Sequence, residues 1–209
     1  RNVFFNHIKQ LNLRNSIFVD NTASEIIANE YEGYLAQSIG VVTCNKIACA
    51  STFTNYKELK KTARRFGTHF LFETNVGAGL PIIDTLNNLI ASGDKIFKIQ
   101  AILSGSLNYI FDNFTKKNTF KDVVQKAEKE GFTEPDPKID LSGVDVARKI
   151  LILARESGFN LELNDFKNNS FLPKEILDTE DNVKFFDELD KNEYHFKNLL
   201  KRANNKNAR

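Results

Sequence analysis

Residues 16–46 read SIFVDNTASEIIANEYEGYLAQSIGVVTCNK, and the order of patterns inside them decides the fold. Ser16-Ile17-Phe18-Val19-Asp20 is a short apolar run, and Asn21-Thr22-Ala23-Ser24 is a turn with good helix N-cap residues. Ile26, Ile27, Tyr31, Tyr34 and Leu35 then recur at helical spacing, before Val41-Val42-Thr43 forms a second short strand pattern. The cycle repeats downstream. Tyr56, Leu59, Ala63 and Phe66 mark a helix that ends before Gly67, and His69 to Phe72 reads as a third strand. Strands alternating with helices at this spacing predict parallel βαβ units, whose ligands sit at the carboxyl ends of the strands. Thr22 and Lys46 both fall at such ends.

Beyond residue 80 the pattern changes. Pro81 starts a helix through Ile82, Ile83, Leu86, Leu89 and Ile90, which Gly93 closes. Phe97, Ile99, Ala101 and Leu103 alternate as a half-buried strand, and Ser104-Gly105-Ser106 leads into a helix around Tyr109 to Phe114. Thr119 to Asp122 is a capping box for a helix ending near Gly131, and Val183 to Leu200 reads as one amphipathic helix. The opening, RNVFFNHIKQLNLRN, reads as a polar segment before a strand.

Composition excludes several classes. The 209 residues suffice for one or two domains, and the 41% apolar and 27% charged fractions are those of ordinary globular protein. A net charge of +2, with lysines and arginines dispersed, argues against nucleic acid. No apolar run approaches a membrane span, so no membrane partner is expected. Cys44 and Cys49 have no second ligand pair nearby, and His7, His69 and His195 are scattered, so neither zinc nor nucleophilic cysteine chemistry is supported. A reduced, cytoplasmic setting is the expectation.

The chemistry concentrates in residues 131–155, GFTEPDPKIDLSGVDVARKILILAR. From Val144 onward apolar side chains surround most of the helical wheel, yet Asp145 and Lys149 stand four apart on one side of it. A solvated salt bridge is one reading of that pair. Upstream, Glu134-Pro135-Asp136-Pro137 is an acidic turn stiffened by two prolines, and preorganised acids leading into a buried Asp/Lys helix suit a polar substrate. Val76-Gly77-Ala78-Gly79-Leu80-Pro81 is a tight turn between strand and helix, and its carbonyls beside Glu73 suit a hard cation.

Taken in order, NTAS at 21–24, TCNK at 43–46, ETNVGAGLP at 73–81, ILSGSLNYI at 102–110 and TEPDP followed by DLSGVDVARK resemble the homoserine dehydrogenases over roughly residues 16–173. The wording is most similar to the bifunctional form in which an aspartokinase domain is covalently fused upstream. The resemblance implies an α/β chain: the remainder of a Rossmann-type cofactor domain over 1–72, then an α+β substrate-binding and dimerisation domain over 73–209. It implies NADP- or NAD-dependent interconversion of aspartate 4-semialdehyde and homoserine, a small amino-acid substrate, a homo-oligomer, and a monovalent cation, sodium or potassium. Carried over residue by residue, Lys149 is implied as the proton-transferring amine with Asp145 beside it, and Glu134 and Asp145 as substrate ligands supported by Asp140. Thr22 and Lys46 would lie by the nicotinamide, and Glu73 with the main chain of Val76, Ala78 and Leu80 would surround the cation. Lys138 and Ile139 depart from the family pattern without removing a matched functional residue.

No glycine-rich loop precedes Thr22 in residues 1–15, no segment returning to the cofactor domain is recognisable in 174–209, and the chain contains no methionine. The expectation is therefore an internal portion of the enzyme with little activity alone. Two alternatives remain at this stage: a noncatalytic assembly module that pairs through the Phe97–Leu103 strand, and a dehydrogenase for another amino-acid semialdehyde.

Overall fold

The computed structural model describes residues 2–11, 13–134 and 136–206. They form two compact units, one of residues 1–99 with 148–166, the other of 100–147 with 167–209.

The first unit opens with helix α1 (Asn2–Leu11), in the stretch that the sequence marks only as a polar segment before a strand. Phe5 and Ile8, three apart, turn toward the core, and this short apolar stripe is masked in the sequence by the surrounding Asn, His, Lys and Gln. Arg1 and Asn12 of that opening stretch lie outside the described residues. Strand β1 (Ile17–Asp20) follows, then the short helices α2 (Glu25–Ala28) and α3 (Tyr31–Leu35), and strand β2 (Gly40–Thr43). Helices α4 (Lys46–Ala50) and α5 (Phe53–Arg65) lead to β3 (Phe70–Leu71). The sheet is parallel in the order β1-β2-β3, with Asp20 level with Thr43 and Val42 level with Leu71. The predicted βαβ alternation is what the chain adopts.

Crossovers of one hand that advance in one direction place their helices on the same face of a sheet. On that face Tyr31, Leu35, Val41 and Leu59 form a buried core, and Phe18 stacks on Tyr34 at 4.2 Å. The other face leaves Ile17, Val19, Val42 and Leu71 exposed. A 3-10 turn at Glu73–Asn75 leads into helix α6 (Ile82–Ala91).

Residues 94–104 form no strand, contrary to expectation, and Phe97 and Ile102 are 92% and 87% exposed. Alternation specifies which side chains share a face, but a strand also needs a partner edge for its amides and carbonyls. Among the described residues the sheet consists of β1 to β3 alone, and residues 97–103 pair with none of them.

The second unit contains α7 (Gly105–Asn113), α8 (Phe120–Lys129), α9 (Pro137–Leu141), the first residues of α10 (Val144–Glu156), α11 (Lys174–Leu177), α12 (Asn182–Lys191) and α13 (Glu193–Asn205). Its core is rich in aromatic side chains: Phe120 stacks on Phe196 at 4.1 Å, with Phe114, Phe185 and Ile176 buried around them. Thr119 caps α8, as its sequence indicates, by accepting from the Asp122 amide at 3.0 Å. The single helix expected over Val183–Leu200 is instead α12 and α13, broken at Asn192. The side chain of Asn192 donates to the Glu188 carbonyl at 2.9 Å, the local competition with helical bonding that makes Asn a helix terminator.

Candidate active site

The residues singled out from the sequence fall into two sets. Thr22, Lys46, Glu73, Val76, Ala78, Leu80 and Lys149 belong to the first unit, and Glu134, Asp140 and Asp145 to the second.

In the first unit the loops after β1 and β2 are tied together by a buried polar cluster that sequence reasoning did not single out. Asp20, the last residue of β1, accepts from the Thr22 amide at 2.8 Å, from the Asn45 side chain at 3.1 Å and from the Tyr31 hydroxyl. The Tyr31 hydroxyl also bonds Thr43 Oγ1 at 2.7 Å, so it bridges the ends of both strands. Thr43 Oγ1 accepts from the Asn45 amide at 2.8 Å, and Asn45 in turn caps α4 through the Ile47 amide at 3.1 Å. Asn45 Nδ2 reaches the Ser24 carbonyl at 3.0 Å, closing the cluster on the first loop. Burial raises the Asp20 carboxyl pKa, but the hydrogen bonds from Tyr31, Thr22 and Asn45 outweigh it and hold the group below its ordinary value of 3.8. Burial and the neighbouring Asp20 carboxylate push the Tyr31 hydroxyl well up, so it is a donor at any physiological pH.

Thr22 and Lys46 are thereby placed where the alternation put them, two and three residues past the ends of β1 and β2. Thr22 is exposed, with Oγ1 accepting from the Ser24 amide at 3.1 Å, and Lys46 is the half-buried first residue of α4. The signals for the supporting cluster were present but local: an Asp closing an apolar strand, a Thr-x-Asn step, and a tyrosine on the apolar stripe of α3.

The turn after β3 is pinned in a different way. Glu73 accepts from the Ile83 amide with one carboxylate oxygen and from the Asp84 amide with the other, both at 2.8 Å, so it caps α6. A carboxylate at a helix N-terminus satisfies two orphan donors and meets the positive end of the helix dipole. Val76 is fully buried, whereas Ala78 and Leu80 are exposed, and the Leu80 carbonyl accepts from Ile82 at 2.9 Å. Gly77 has φ +81°, and a Cβ there would meet Ile82 Cγ1 at 2.6 Å, so glycine is required twice over. The Asn75 side chain, oriented with its nitrogen toward the strand, donates to the carbonyls of Thr43 and Cys44 at 3.1 Å and joins this turn to the loop that carries Lys46.

In the second unit Asp140 is the organiser. It is 5% exposed, accepts from the Glu134 amide with Oδ2 and from the Ser106 hydroxyl with Oδ1, both at 2.8 Å, and thereby fixes the Glu134 backbone. The two serines of ILSGSLNYI divide the work: Ser104 caps α7 through the Leu107 amide at 3.0 Å, while Ser106 braces Asp140. Asp136 caps α9 through the Lys138 amide, and Pro137 occupies the first turn. Glu134 itself is exposed. Pro135, the other stiffening residue of the expected acidic turn, lies outside the described residues. Asp145 is buried at 7% and Lys149 half-buried, four apart on α10.

Within each unit, polar side chains end strands, cap helices and brace the loops between them. A family model described as homoserine dehydrogenase matches residues 81–207, and one described as the homoserine dehydrogenase NAD binding domain matches residues 2–73. The chain belongs to the homoserine dehydrogenase family. The matched span is wider than the 16–173 that the motifs carry.

The chain is 44% identical over 200 residues to a bifunctional aspartokinase/homoserine dehydrogenase of Buchnera aphidicola, covering 96% of this chain and 24% of that protein. It thus spans about a quarter of that relative's length. Among solved structures, a Candida auris protein described as of unknown function superposes with a TM-score of 0.83 at 34% identity, over 95% of this chain and 58% of that one. A hyperthermophilic archaeal homoserine dehydrogenase in complex with NADPH matches with a TM-score of 0.61 at 32% identity, over 68% of this chain and 43% of that one. The α/β class and the homoserine dehydrogenase resemblance are borne out. Among the described residues no helix is long and apolar enough to cross a membrane, and no group of three or more His, Cys, Asp or Glu side chains is placed to hold a metal ion.

Proposed function

We propose that the protein interconverts aspartate 4-semialdehyde and homoserine, with Lys149 as the catalytic amine. The observation that carries this reading is the match of both homoserine dehydrogenase models in chain order, together with Thr22 and Lys46 standing at the carboxyl ends of two parallel strands. A bound nicotinamide would supply the hydride that attacks the aldehyde carbon. Negative charge then builds on the aldehyde oxygen, which the Lys149 ammonium stabilises and protonates to give the alcohol. In the oxidative direction the same amine removes the hydroxyl proton. Asp145 precedes Lys149 by four residues in the sequence, and Glu134 with Asp145 binds the α-ammonium group of the substrate.

Thr22 and Lys46 hold the nicotinamide end of NADP or NAD. The oxygen donors of Glu73, Val76, Ala78 and Leu80, with a single negative charge among them, suit a sodium or potassium ion that stiffens the turn. Residues 1–72 act as part of the cofactor domain and 73–209 as the substrate-binding and dimerisation domain of a homo-oligomer. An aspartokinase domain upstream is favoured by the relative's fused architecture, and a cytoplasmic setting by the two free cysteines.

The test is homoserine-dependent reduction of NADP or NAD, followed by absorbance at 340 nm, in the wild type and in Lys149→Ala. Slow turnover by the chain alone is expected, and it should disappear in a folded Lys149→Ala protein. Equal turnover by the two removes Lys149 from the chemistry, and a preference for another semialdehyde replaces the substrate.

A further inference from the structure

The last turn of α10 carries two buried charges that the proposed chemistry does not use. The side chains of Arg155 and Glu156 are 0% and 1% exposed. Burial holds the Arg155 pKa below its ordinary value, and the Glu162 carboxylate offsets only part of this. Arg155 Nη1 donates to the carbonyl of Cys49 at 2.8 Å, in the last turn of α4. Its Nε and Nη2 donate to the Leu161 carbonyl at 3.1 and 3.0 Å, and Nη2 also reaches Glu162 Oε2 at 3.0 Å. The guanidinium lies 5.7 and 5.4 Å from the ring centroids of Phe53 and Tyr56 on α5. Glu162 continues the grip, because Oε1 accepts from the Phe53 amide that begins α5, at 2.8 Å. Glu156 accepts from Lys60 Nζ at 2.7 and 2.8 Å and from the Tyr56 hydroxyl, both donors again on α5.

These bonds fasten the last turn of α10 to the α4–α5 block, directly through Cys49, Tyr56 and Lys60 and indirectly through Glu162. The carbonyl held by Arg155 lies three residues along α4 from Lys46, and Arg155 follows Lys149 by six residues, about 9 Å of helix. We infer that Arg155 and Glu156 are positioning residues, which hold the amine-bearing helix against the block that starts at Lys46 so that the two lysines keep one separation through turnover. The inference rests on the roles given above to Lys149 and Lys46.

Two physical points favour positioning over simple cohesion. Well-packed apolar side chains commonly stabilise such a contact as well as a buried ion pair does, so cohesion alone does not call for ions here. A planar guanidinium with several fixed donors instead selects one orientation, and an ammonium does not reproduce it. Misplacing reacting groups by about 1 Å can cost on the order of 100-fold in rate.

The experiment compares wild type with Arg155→Lys, Glu156→Gln and Glu162→Gln, the last altering a half-exposed partner so that folding is retained. Kinetics are read with homoserine and with homoserine deuterated at C4, and hydrogen exchange is followed over residues 46–50 and 148–155. In Arg155→Lys, kcat is expected to fall by about 10- to 100-fold with KM for homoserine within about threefold, and the isotope effect on kcat to rise. Glu156→Gln and Glu162→Gln should move the same quantities in the same direction by less. Exchange over 46–50 should speed up in Arg155→Lys while α8, in the other unit, is unchanged. A lowered melting temperature with unchanged kcat and isotope effect overturns the inference. So does exchange over 46–50 that matches wild type. Absence of turnover in the wild type rejects the proposed function instead, and the exchange measurement then still decides whether Arg155 couples α10 to α4.

Discussion

Replacing Tyr31 by Phe removes one oxygen atom from the ends of two strands, and its effect can be worked out from the geometry. The ring keeps its packing between Phe18 and Phe70, at 6.4 and 6.0 Å. What is lost is the bond to Thr43 Oγ1 at 2.7 Å and the charge-assisted bond to Asp20. The neutral bond is worth about 1 kcal/mol and the charged one about 1.5–3 kcal/mol. Asp20 keeps two donors, Thr22 N and Asn45 Nδ2, so no carboxylate is stranded. A loss of about 2–4 kcal/mol is therefore expected, roughly 4–16 °C in melting temperature for a chain of this size. The pH dependence is the sharper signature. Asp20 has its folded-state pKa held below 3.8, partly by Tyr31, so its contribution is present above that value and is lost as pH falls through the folded pKa. Tyr31→Phe removes part of this depression, so the stability difference measured by urea unfolding should be constant from pH 5 to neutrality and should narrow below about pH 3.8. A difference under about 0.5 kcal/mol, or one unaltered between pH 6 and pH 3, would refute the bridging role.

Three further outcomes follow from the same structure. Lys149→Ala is expected to lower kcat by about 100- to 10,000-fold, the range for a general acid–base group, with circular dichroism and cofactor affinity unchanged; a loss below tenfold excludes it as the proton carrier. Asp140→Asn places an amide group against the Ser106 hydroxyl or the Glu134 amide and should cost about 1–3 kcal/mol. Because the Glu134 backbone hangs on that carboxylate, KM for homoserine should rise more than kcat falls, and steady-state kinetics showing the reverse would place Asp140 elsewhere in the mechanism. Gly77→Ala combines a φ of +81° with a 2.6 Å approach to Ile82, and should destabilise by about 2–4 kcal/mol in denaturant titration; a change within 0.5 kcal/mol would mean that this turn is free to rearrange.

The parallel sheet was legible because each of its strands is an apolar run ended by a polar residue or a turn, and each intervening helix has its own apolar stripe. Ile17–Asp20 and Gly40–Thr43 fall within a residue or two of where the pattern puts them. Phe97–Leu103 misled for a reason that periodicity cannot supply, since a strand is a property of two chains' edges and only one is written locally. Asn192 misled because a single side chain decides whether the Val183–Leu200 pattern runs on or breaks. The candidate site residues can be singled out in the sequence as residue types at particular stations, whereas the cluster around Tyr31 cannot. Its members are brought together across residues 20–45 by the sheet register that sets Asp20 beside Thr43.

Asp20, Glu73 and Asp140 share a feature that separates two jobs a site carboxylate can have. Each accepts a main-chain amide: Thr22 N, Ile83 N with Asp84 N, and Glu134 N. Each is therefore engaged before any ligand arrives, and each fixes the backbone of a residue assigned to ligand binding or of the turn beside it. Glu134 and Thr22 stand at the other extreme, exposed and carried on the backbone that those carboxylates hold. Such a division lets the desolvation of a buried charge be met by protein donors, so that it does not depend on ligand, and leaves the exposed groups solvated until substrate replaces the water. It also separates the expected consequences of substitution: changes at Asp20, Glu73 or Asp140 should lower stability and binding together, whereas changes at Glu134 or Thr22 should alter binding in a protein of unaltered stability. Glu73 is the instructive case, because its two oxygens already serve α6 while each retains acceptor capacity. A cation at that turn would meet a carboxylate oriented by the helix, so removing the ion should loosen the turn at 76–80 far less than removing the side chain.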